Sequence, residues 1–133
     1  MGGGPLIVLD THVWIWWVDH AGRLSATAKR AIDHASRIGI SAISLWEVGS
    51  LTERGRIRTS RSTLEWLEAG LSLPRVELLP LTPAIAATAA RIGGAISGDP
   101  ADRLIAATSL EMKAPLVTKD QRLHGLPQLE VIW

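Results

Sequence analysis

Short, continuous apolar runs alternate with longer amphipathic stretches along this chain. The apolar runs are residues 6–9, 37–41, 76–79, 116–117 and 129–133. Runs of this length are typical of strands buried on both faces of a parallel sheet. Between them, apolar residues recur every three or four positions, which predicts two helices after each of the first three strands. This order indicates an α/β fold, with a mostly parallel central sheet and helices on both faces.

Polar residues at the predicted helix starts support this assignment of strands and helices. The best-marked helix begins at Asp99, with Pro100 at its first position and Asp102 at its third. Its predicted buried face is Ala101, Ile105, Thr108 and Met112. In the segment 44–47, serine is followed three residues later by glutamate, and this spacing predicts a capping box at another helix start. Residues 122–127 are predicted to form a loop.

The first predicted helix is rich in aromatic residues. Trp14, Trp16 and Trp17 are interpreted as packing residues, because large aromatic side chains contribute most to cores. His12 is interpreted as a polar residue rather than a metal ligand, since no second histidine stands at ligand spacing.

Acidic residues stand at the exits of the predicted strands. Asp10 ends the first strand, Glu47 lies in the helix after the second, and Asp120 closely follows the fourth. Asp102 lies in the first turn of the helix before the fourth strand, with Asp99 beside it. Because ligands bind at the carboxyl ends of the strands in open α/β sheets, we expect these acids to share one pocket. Taken singly, each acid also has a local explanation as a helix cap or a surface residue.

Carboxylates that share a pocket repel one another unless a cation neutralises them. Oxygen ligands at this density suit Mg²⁺ or Mn²⁺. The chain has no cysteine and no pair of histidines at ligand spacing, which argues against zinc. A divalent ion held by carboxylates activates water and neutralises the charge of a phosphodiester, so this pattern is consistent with a metal-dependent nuclease.

A basic run follows the predicted Glu47 helix. Four arginines occur within residues 54–61, and they are Arg54, Arg56, Arg58 and Arg61. Such a run is commonly a solvated surface turn. Beside an acidic pocket it is a candidate contact for a phosphate backbone, because a guanidinium binds phosphate bidentately. The net charge of the whole chain is only +1, so affinity for nucleic acid depends on a local patch.

Length and composition fit a single domain over residues 1–133. The chain is 47% hydrophobic and 20% charged, which is the balance of a globular protein rather than a disordered one. The absence of cysteine excludes disulfides and fits a reducing compartment. No apolar run approaches the roughly 18 residues of a membrane span, and no signal-peptide pattern is present, so we expect a cytoplasmic protein without membrane contact. Residues 1–5 are interpreted as a flexible leader.

Four blocks of the sequence resemble the signature blocks of PIN-domain proteins. They are residues 8–14 (VLDTHVW), 43–48 (ISLWEV), 98–108 (GDPADRLIAAT) and 116–120 (LVTKD). Within that family, the chain is most similar to the small bacterial toxins of the VapC type. Residues 55–57 (GRI) and 131–133 (VIW) share this resemblance, which covers essentially the whole chain.

The resemblance implies a PIN-like α/β/α sandwich and an endoribonuclease that depends on Mg²⁺ or Mn²⁺. Asp10, Glu47 and Asp102 match the metal-holding acids of the family. Asp120 matches a fourth acid that varies more among its members, and Thr118 matches a polar residue that supports the site.

The resemblance also implies binding partners, and it leaves the roles of Asp99 and Ser97 undetermined. Toxins of this type act on RNA, pair with a small antitoxin of the VapB type and form homodimers. The antitoxin's C-terminal segment usually lies in the acidic groove. Asp99 matches no fixed role, although it stays a candidate support for the site. Ser97 stands where many relatives have histidine, which alters the expected substrate contacts.

Two other classes of protein compete with a ribonuclease. A non-catalytic PIN-like module, which binds RNA or a partner without cleavage, would normally lack one of the four acids, and all four are present. A phospho-accepting receiver domain needs an acidic pair after the first strand and an aspartate at the end of the third. Here the first strand ends in Leu9-Asp10-Thr11 and the third in Leu79-Pro80, so the receiver domain is set aside.

Overall fold

The computed structural model describes residues 5–94 and 99–133. In chain order its elements are β1 (Leu6–Leu9), α1 (Thr11–Asp19), a 3₁₀ turn (Ala21–Arg23), α2 (Ala26–His34), β2 (Arg37–Ser41), α3 (Ala42–Glu53), α4 (Thr63–Leu71), β3 (Val76–Leu79), α5 (Pro83–Arg91), α6 (Pro100–Met112), β4 (Leu116–Val117), α7 (Gln121–His124) and β5 (Val131–Ile132). The strands form one sheet in the order β3-β2-β1-β4-β5, and every pairing is parallel. The predicted α/β fold is therefore confirmed.

The central strand, β1, separates two hydrophobic cores. Successive side chains of a strand point to opposite faces. Ile7 and Leu9 pack into the larger core with residues of α1 to α4, whereas Val8 packs into the smaller core with residues of α6 and α7. The two cores cover both faces of the sheet, as the α/β/α prediction requires. Because all strands run in one direction, their carboxyl ends share one side of the sheet, which we call the carboxyl edge.

Two tryptophans join α1 to α4 in the larger core. Trp14 and Trp66 are fully buried and pack edge to face, with ring centroids 4.9 Å apart. The indole N–H of Trp14 donates to the carbonyl oxygen of Gly70 at 3.3 Å, and that of Trp66 donates to Asp19 Oδ2 at 2.7 Å. Both buried donors are therefore satisfied, and the large apolar area of the rings stabilises the core without an unpaired N–H.

Ser41, rather than Ser44, caps the start of α3. The strand β2 passes into α3 without a loop, and the Ser41 hydroxyl accepts a hydrogen bond from the Ile43 amide at 3.3 Å. Ser44 is buried inside the helix. The capping box predicted for this helix is wrong, because the helix begins before the predicted cap. A capping box does occur at the start of α4, between Ser62 and Glu65.

The predicted start of α6 agrees with the structure, but the predicted buried face is too long. Asp99 is the N-cap, and its Oδ1 accepts a hydrogen bond from the Ala101 amide at 3.0 Å. Ile105 and Thr108 are buried, whereas Met112 is 38% exposed. The helix ends at Met112, and this last residue lies outside both hydrophobic cores.

The short helix α7 replaces part of the loop predicted over residues 122–127. Its N-cap is Asp120, whose Oδ1 accepts a hydrogen bond from the Arg122 amide at 3.0 Å. Leu123 and Leu126 are buried in the smaller core, so the turn is stabilised by apolar burial. This packing also fixes Arg122 close to Asp120.

Some sequence predictions fall on residues that the structure does not describe. Ser97 lies outside the described residues, and so do residues 1–4 of the predicted leader. Pro5, the last residue of that leader, is described, and its carbonyl oxygen accepts hydrogen bonds from the amides of Ser36 and Arg37 at 3.1 and 3.2 Å. Within the described ranges, no helix has the length and apolar character needed to cross a membrane.

We expect Gly70→Ala to destabilise the protein, although alanine is the better helix former. A Cβ atom at this position would lie 2.8 Å from Cζ2 of Trp14, whose ring is packed on all sides in the core. Such overpacking costs about 1–3 kcal/mol, whereas the gain in helix propensity is about 1 kcal/mol. Urea unfolding measures the difference.

Gly49→Ala in α3 is the matched control. Its Cβ atom would meet Thr63 Cγ2 at 3.7 Å, which is an ordinary contact, so the gain in helix propensity should remain. If Gly70→Ala is as stable as Gly49→Ala, the packing of Trp14 against Gly70 does not constrain the core.

Candidate active site

Four acidic side chains lie together at the carboxyl edge of the sheet. Asp10 directly follows β1, and Asp120 follows β4, the neighbouring strand. Glu47 lies on α3, and Asp102 lies in the first turn of α6. All four line one cleft of about 540 Å³, which we call the acid cleft. Further residues that line it include His12, Trp16, Arg54, Asp99, Lys119 and Arg122.

Two hydrogen bonds hold the carboxylate of Asp10. Its Oδ1 accepts from the Thr11 amide at 2.8 Å, and its Oδ2 accepts from the Thr118 hydroxyl at 2.6 Å. The Thr118 side chain is buried, and its oxygen also accepts from the Asp120 amide at 3.0 Å. Burial raises the pKa of Asp10 against the effect of these hydrogen bonds. The hydroxyl of Thr118 therefore links two of the four acids.

Glu47 is held by one of two buried hydroxyl groups that contact each other. Thr11 Oγ1 donates to Glu47 Oε1 and lies 2.9 Å from Ser44 Oγ. Burial, together with the charges of Asp10 and Asp102, raises the pKa of Glu47 to about 7. Sequence reasoning missed Thr11 as the partner of Glu47, and it assigned Ser44 to a helix cap instead of the buried contact with Thr11. The available signal was their spacing, since Thr11 directly follows Asp10 and Ser44 precedes Glu47 by one helical turn.

Arg122 supplies positive charge on the other side of the acid cleft. Its Nη2 donates to Asp102 Oδ2 at 2.7 Å, and its Nε donates to Asp120 Oδ1 at 3.0 Å. Hydrogen bonding to this guanidinium lowers the pKa of Asp120. The pKa of Asp102 is nevertheless raised, because burial and the charge of Asp10 outweigh Arg122. Arg122 falls in the segment predicted as a loop, so the sequence indicated no role for it.

The donor set of the acid cleft fits a hard divalent cation such as Mg²⁺ or Mn²⁺. The pKa values of Asp10, Glu47 and Asp102 are all raised by burial and by neighbouring carboxylates, as expected where negative charge lacks a full counter-charge. Within residues 5–94 and 99–133, no three Asp, Glu or His side chains are grouped to hold an ion as they stand. Hydrogen-bond donors hold each of these carboxylates, and the carboxylate oxygens keep further lone pairs that can face an ion.

The arginine run is divided between the acid cleft and the surface. Arg54 is the C-cap of α3 and lines the cleft. Gly55 has a φ of +69°, a left-handed conformation that suits glycine, and it turns the chain after the helix. Arg56, Arg58 and Arg61 follow in an exposed segment and do not line the cleft. The structure thus brings the four predicted acids together, but it brings only the first of the four predicted arginines to them.

A larger cavity of about 750 Å³ lies on the side of the sheet opposite the carboxyl edge, near the amino ends of β4 and β5. It is bounded by α5, α6 and the segment before β5. Its charged residues have both signs, and Glu111 accepts a hydrogen bond from the Thr88 hydroxyl at 2.8 Å. Parallel sheets bind ligands at the carboxyl edge, and this cavity lacks the concentrated charge of the acid cleft. We therefore locate the functional site in the acid cleft.

Comparison with known proteins agrees with this geometry. The PIN domain profile matches residues 7–129, which is most of the chain. The chain belongs to the PIN-domain family. A relative named ribonuclease VapC22, from Mycobacterium tuberculosis, is 41% identical over 129 residues, which are 96% of this chain and 98% of that protein. PIN-domain ribonucleases generally depend on a divalent metal.

Solved structures of two toxin–antitoxin complexes show the same fold. DNA-bound VapBC from Salmonella typhimurium matches with a TM-score of 0.72 at 20% identity, over 96% of this chain and 97% of that chain. VapBC2 from Rickettsia felis, bound to a DNA fragment from its promoter, matches with a TM-score of 0.69 at 19% identity, over 95% and 96% of the two chains. At this level of identity, the likeness shows the fold alone.

We expect the metal-free protein to lose stability as the pH rises towards neutrality. The pKa of Glu47 is about 7 in the folded protein against an ordinary value of 4.5, so the folded state holds this proton more tightly. The resulting stabilisation is fully present below pH 4.5 and is lost as the pH passes about 7. A shift of this size corresponds to at most roughly 3 kcal/mol. Solvent screening of the partly exposed side chain reduces the expectation to about 1–2 kcal/mol.

Glu47→Gln is the matched variant, because it keeps an acceptor for the Thr11 hydroxyl and removes the titrating group. Melting temperatures in EDTA between about pH 4 and 8 should fall more steeply for the parent than for this variant. Equal slopes in the two proteins would show that Glu47 ionises in the folded state as it does in the unfolded chain.

Proposed function

We propose that this chain, acting as a single PIN-like domain, is an endoribonuclease that hydrolyses RNA phosphodiester bonds in the acid cleft with bound Mg²⁺ or Mn²⁺. The convergence of four carboxylates at the carboxyl edge is the observation that carries the proposal. The 41% identical relative, which is named a ribonuclease, supports the same chemistry.

The groups that we propose to hold the ion are Asp10, Glu47, Asp102 and Asp120. A divalent ion, when bound, lowers the pKa of its water and offsets the charge of the phosphodiester. Thr118 orients Asp10, and Thr11 orients Glu47, through the hydrogen bonds described above. Asp99 lies in the same cleft but caps α6, so we assign it a supporting role.

The RNA backbone needs positive charge beside the acids. Arg54 and Lys119 line the acid cleft, and both can contact phosphates on either side of the scissile bond. Arg56, Arg58 and Arg61 are exposed beyond Arg54 and can contact phosphates further along the strand.

The proposal includes a protein partner. The solved structures with this fold include complexes of VapC-type chains with VapB-type antitoxins. We propose that a VapB-type antitoxin holds this chain inactive, that the free chain acts as a toxin, and that it forms a homodimer. Large apolar side chains that are exposed in the single chain provide surface for such contacts, and they include Leu64, Leu78 and Leu81.

A non-catalytic PIN-like module, which binds RNA or a partner, remains the second candidate. The ion pairs of Arg122 with Asp102 and Asp120 favour it, because a guanidinium already occupies two of the four acids and offsets part of their charge. The two candidates differ in whether RNA is cleaved when Mg²⁺ or Mn²⁺ is added.

We expect Asp102→Asn to lower metal-dependent RNA cleavage on the order of 100-fold or more, because a ligand charge is lost. Asp99→Asn should retain cleavage within a few-fold, since asparagine also accepts the backbone amide at an N-cap. The measurement is cleavage rate against Mg²⁺ and Mn²⁺ concentration for both variants.

Melting temperatures of both variants control for folding. If Asp102→Asn cleaves like the parent while folded Asp99→Asn is inactive, the ligand is assigned to the wrong acid. If the parent binds RNA and never cleaves it with either metal, the non-catalytic module is the correct function.

We expect Arg54→Ala to weaken RNA binding and to reduce its salt dependence. Each phosphate contact to a single strand contributes about 0.7 to the slope of log affinity against log salt. Arg58→Ala is the comparison within the run: because Arg58 is exposed outside the acid cleft, we expect it to lose less affinity than Arg54→Ala. Binding is measured in an Asp10→Asn background, in which cleavage is blocked. Equal losses of RNA affinity at the two positions would show that the whole arginine run, rather than its first member alone, contacts the RNA.

A further inference from the structure

We propose that His12 and Trp16 form a nucleobase-binding subsite, which we call the aromatic step, where a base of the bound RNA stacks beside the acids. The inference rests on the proposed ribonuclease function and extends it to a second type of contact. It assigns a substrate role to a tryptophan that the sequence analysis treats as a packing residue.

The position of the aromatic step follows from the start of α1. This helix begins immediately after Asp10, so His12 and Trp16, four residues apart, lie on the same face of it. Their ring centroids are 5.9 Å apart and their planes are tilted by 50°. Both side chains line the acid cleft together with Asp10. At 1.5 Å per residue, Trp16 lies about 9 Å along the helix from Asp10, so the two side chains line different parts of one cleft.

Neighbouring side chains hold the Trp16 ring in place. The guanidinium carbon of Arg23 lies 5.6 Å from the ring centroid, and the Trp133 ring lies 5.9 Å away at 57°. Trp16 is half-buried because it packs partly against the larger core, and His12 is exposed. Both rings contribute to the lining of the cleft. A ring that is already immobilised loses little conformational freedom when a ligand binds, which favours its use as a platform.

The charge of the acid cleft explains why RNA needs such a contact. Five acidic residues line the cleft, and they repel a phosphate backbone that approaches them. Base stacking does not depend on charge, and aromatic side chains accept any base because every base has a π-face. The other tryptophans of α1 differ from Trp16, because Trp14 is fully buried and Trp17 does not line the cleft.

The test compares two short RNA oligomers of about six nucleotides, in the range of known single-strand sites. One is oligouridylate, and the other has the same backbone with riboses that lack bases. In an Asp10→Asn background we expect the base-containing oligomer to bind about tenfold tighter. Trp16→Leu should remove most of this preference, Trp16→Phe should keep most of it, and His12→Ala should lower it by a smaller factor.

The salt dependence separates stacking from backbone contacts. Trp16→Leu removes no phosphate contact, so the slope of affinity against salt should stay as in the parent, whereas Arg54→Ala should reduce it. Trp46→Leu is the matched control, because Trp46 is 61% exposed on α3 and does not line the cleft. It should leave the preference for bases unchanged.

Each outcome decides the inference. If folded Trp16→Leu and His12→Ala keep the parent's preference for the base-containing oligomer, and the unmodified chain cleaves RNA, the aromatic step is wrong and the proposed function stands. Absence of both RNA binding and cleavage in the chain overturns the proposed function together with it. If the variants keep RNA binding but lose binding to an antitoxin, the step belongs to a protein interface instead. Should Trp16→Leu fail to fold, the exposed His12→Ala and the conservative Trp16→Phe carry the decision.

Discussion

Repulsion between carboxylates is the constraint on which the arrangement of the carboxyl edge depends. An all-parallel sheet delivers Asp10 and Asp120 to neighbouring positions, and the helices α3 and α6 add Glu47 and Asp102. Partial burial strengthens the repulsion, because charges interact more strongly away from bulk water. The two hydrophobic cores therefore have to hold these groups in place against their mutual repulsion.

The protein offsets this repulsion differently on the two sides of the acid cleft. Around Asp10 and Glu47 the donors are the hydroxyls of Thr11 and Thr118, which orient the carboxylates and add no charge. Around Asp102 and Asp120 the donor is the guanidinium of Arg122. The single positive charge of Arg122 thus offsets part of the repulsion on one side, whereas the hydroxyl donors on the other side add no counter-charge, and there the pKa of Glu47 reaches about 7.

Features that depend on local spacing could be predicted from the sequence, and contacts between distant segments could not. The strand at 6–9 and the helix start at Asp99 follow from runs and caps a few residues long, and the structure has both. The bond of Thr11 to Glu47 joins residues 36 apart, and that of Arg122 to Asp102 joins residues 20 apart, so neither leaves a local signal. The errors at Ser44 and Met112 have a related cause. Periodicity identifies a helix face, but it does not show where the neighbouring strand ends or where the core stops.

Two connections at the carboxyl edge leave no spare length in the chain. One residue, Asp10, separates β1 from α1, and β2 passes into α3 with none between them. An inserted residue at either point would rotate the following helix by about 100° relative to the sheet. Such a rotation would separate Thr11 from Glu47, whichever amino acid was inserted. Chain length at these two junctions is therefore as strictly constrained as the identity of the acids, whereas insertions in surface loops elsewhere are tolerated.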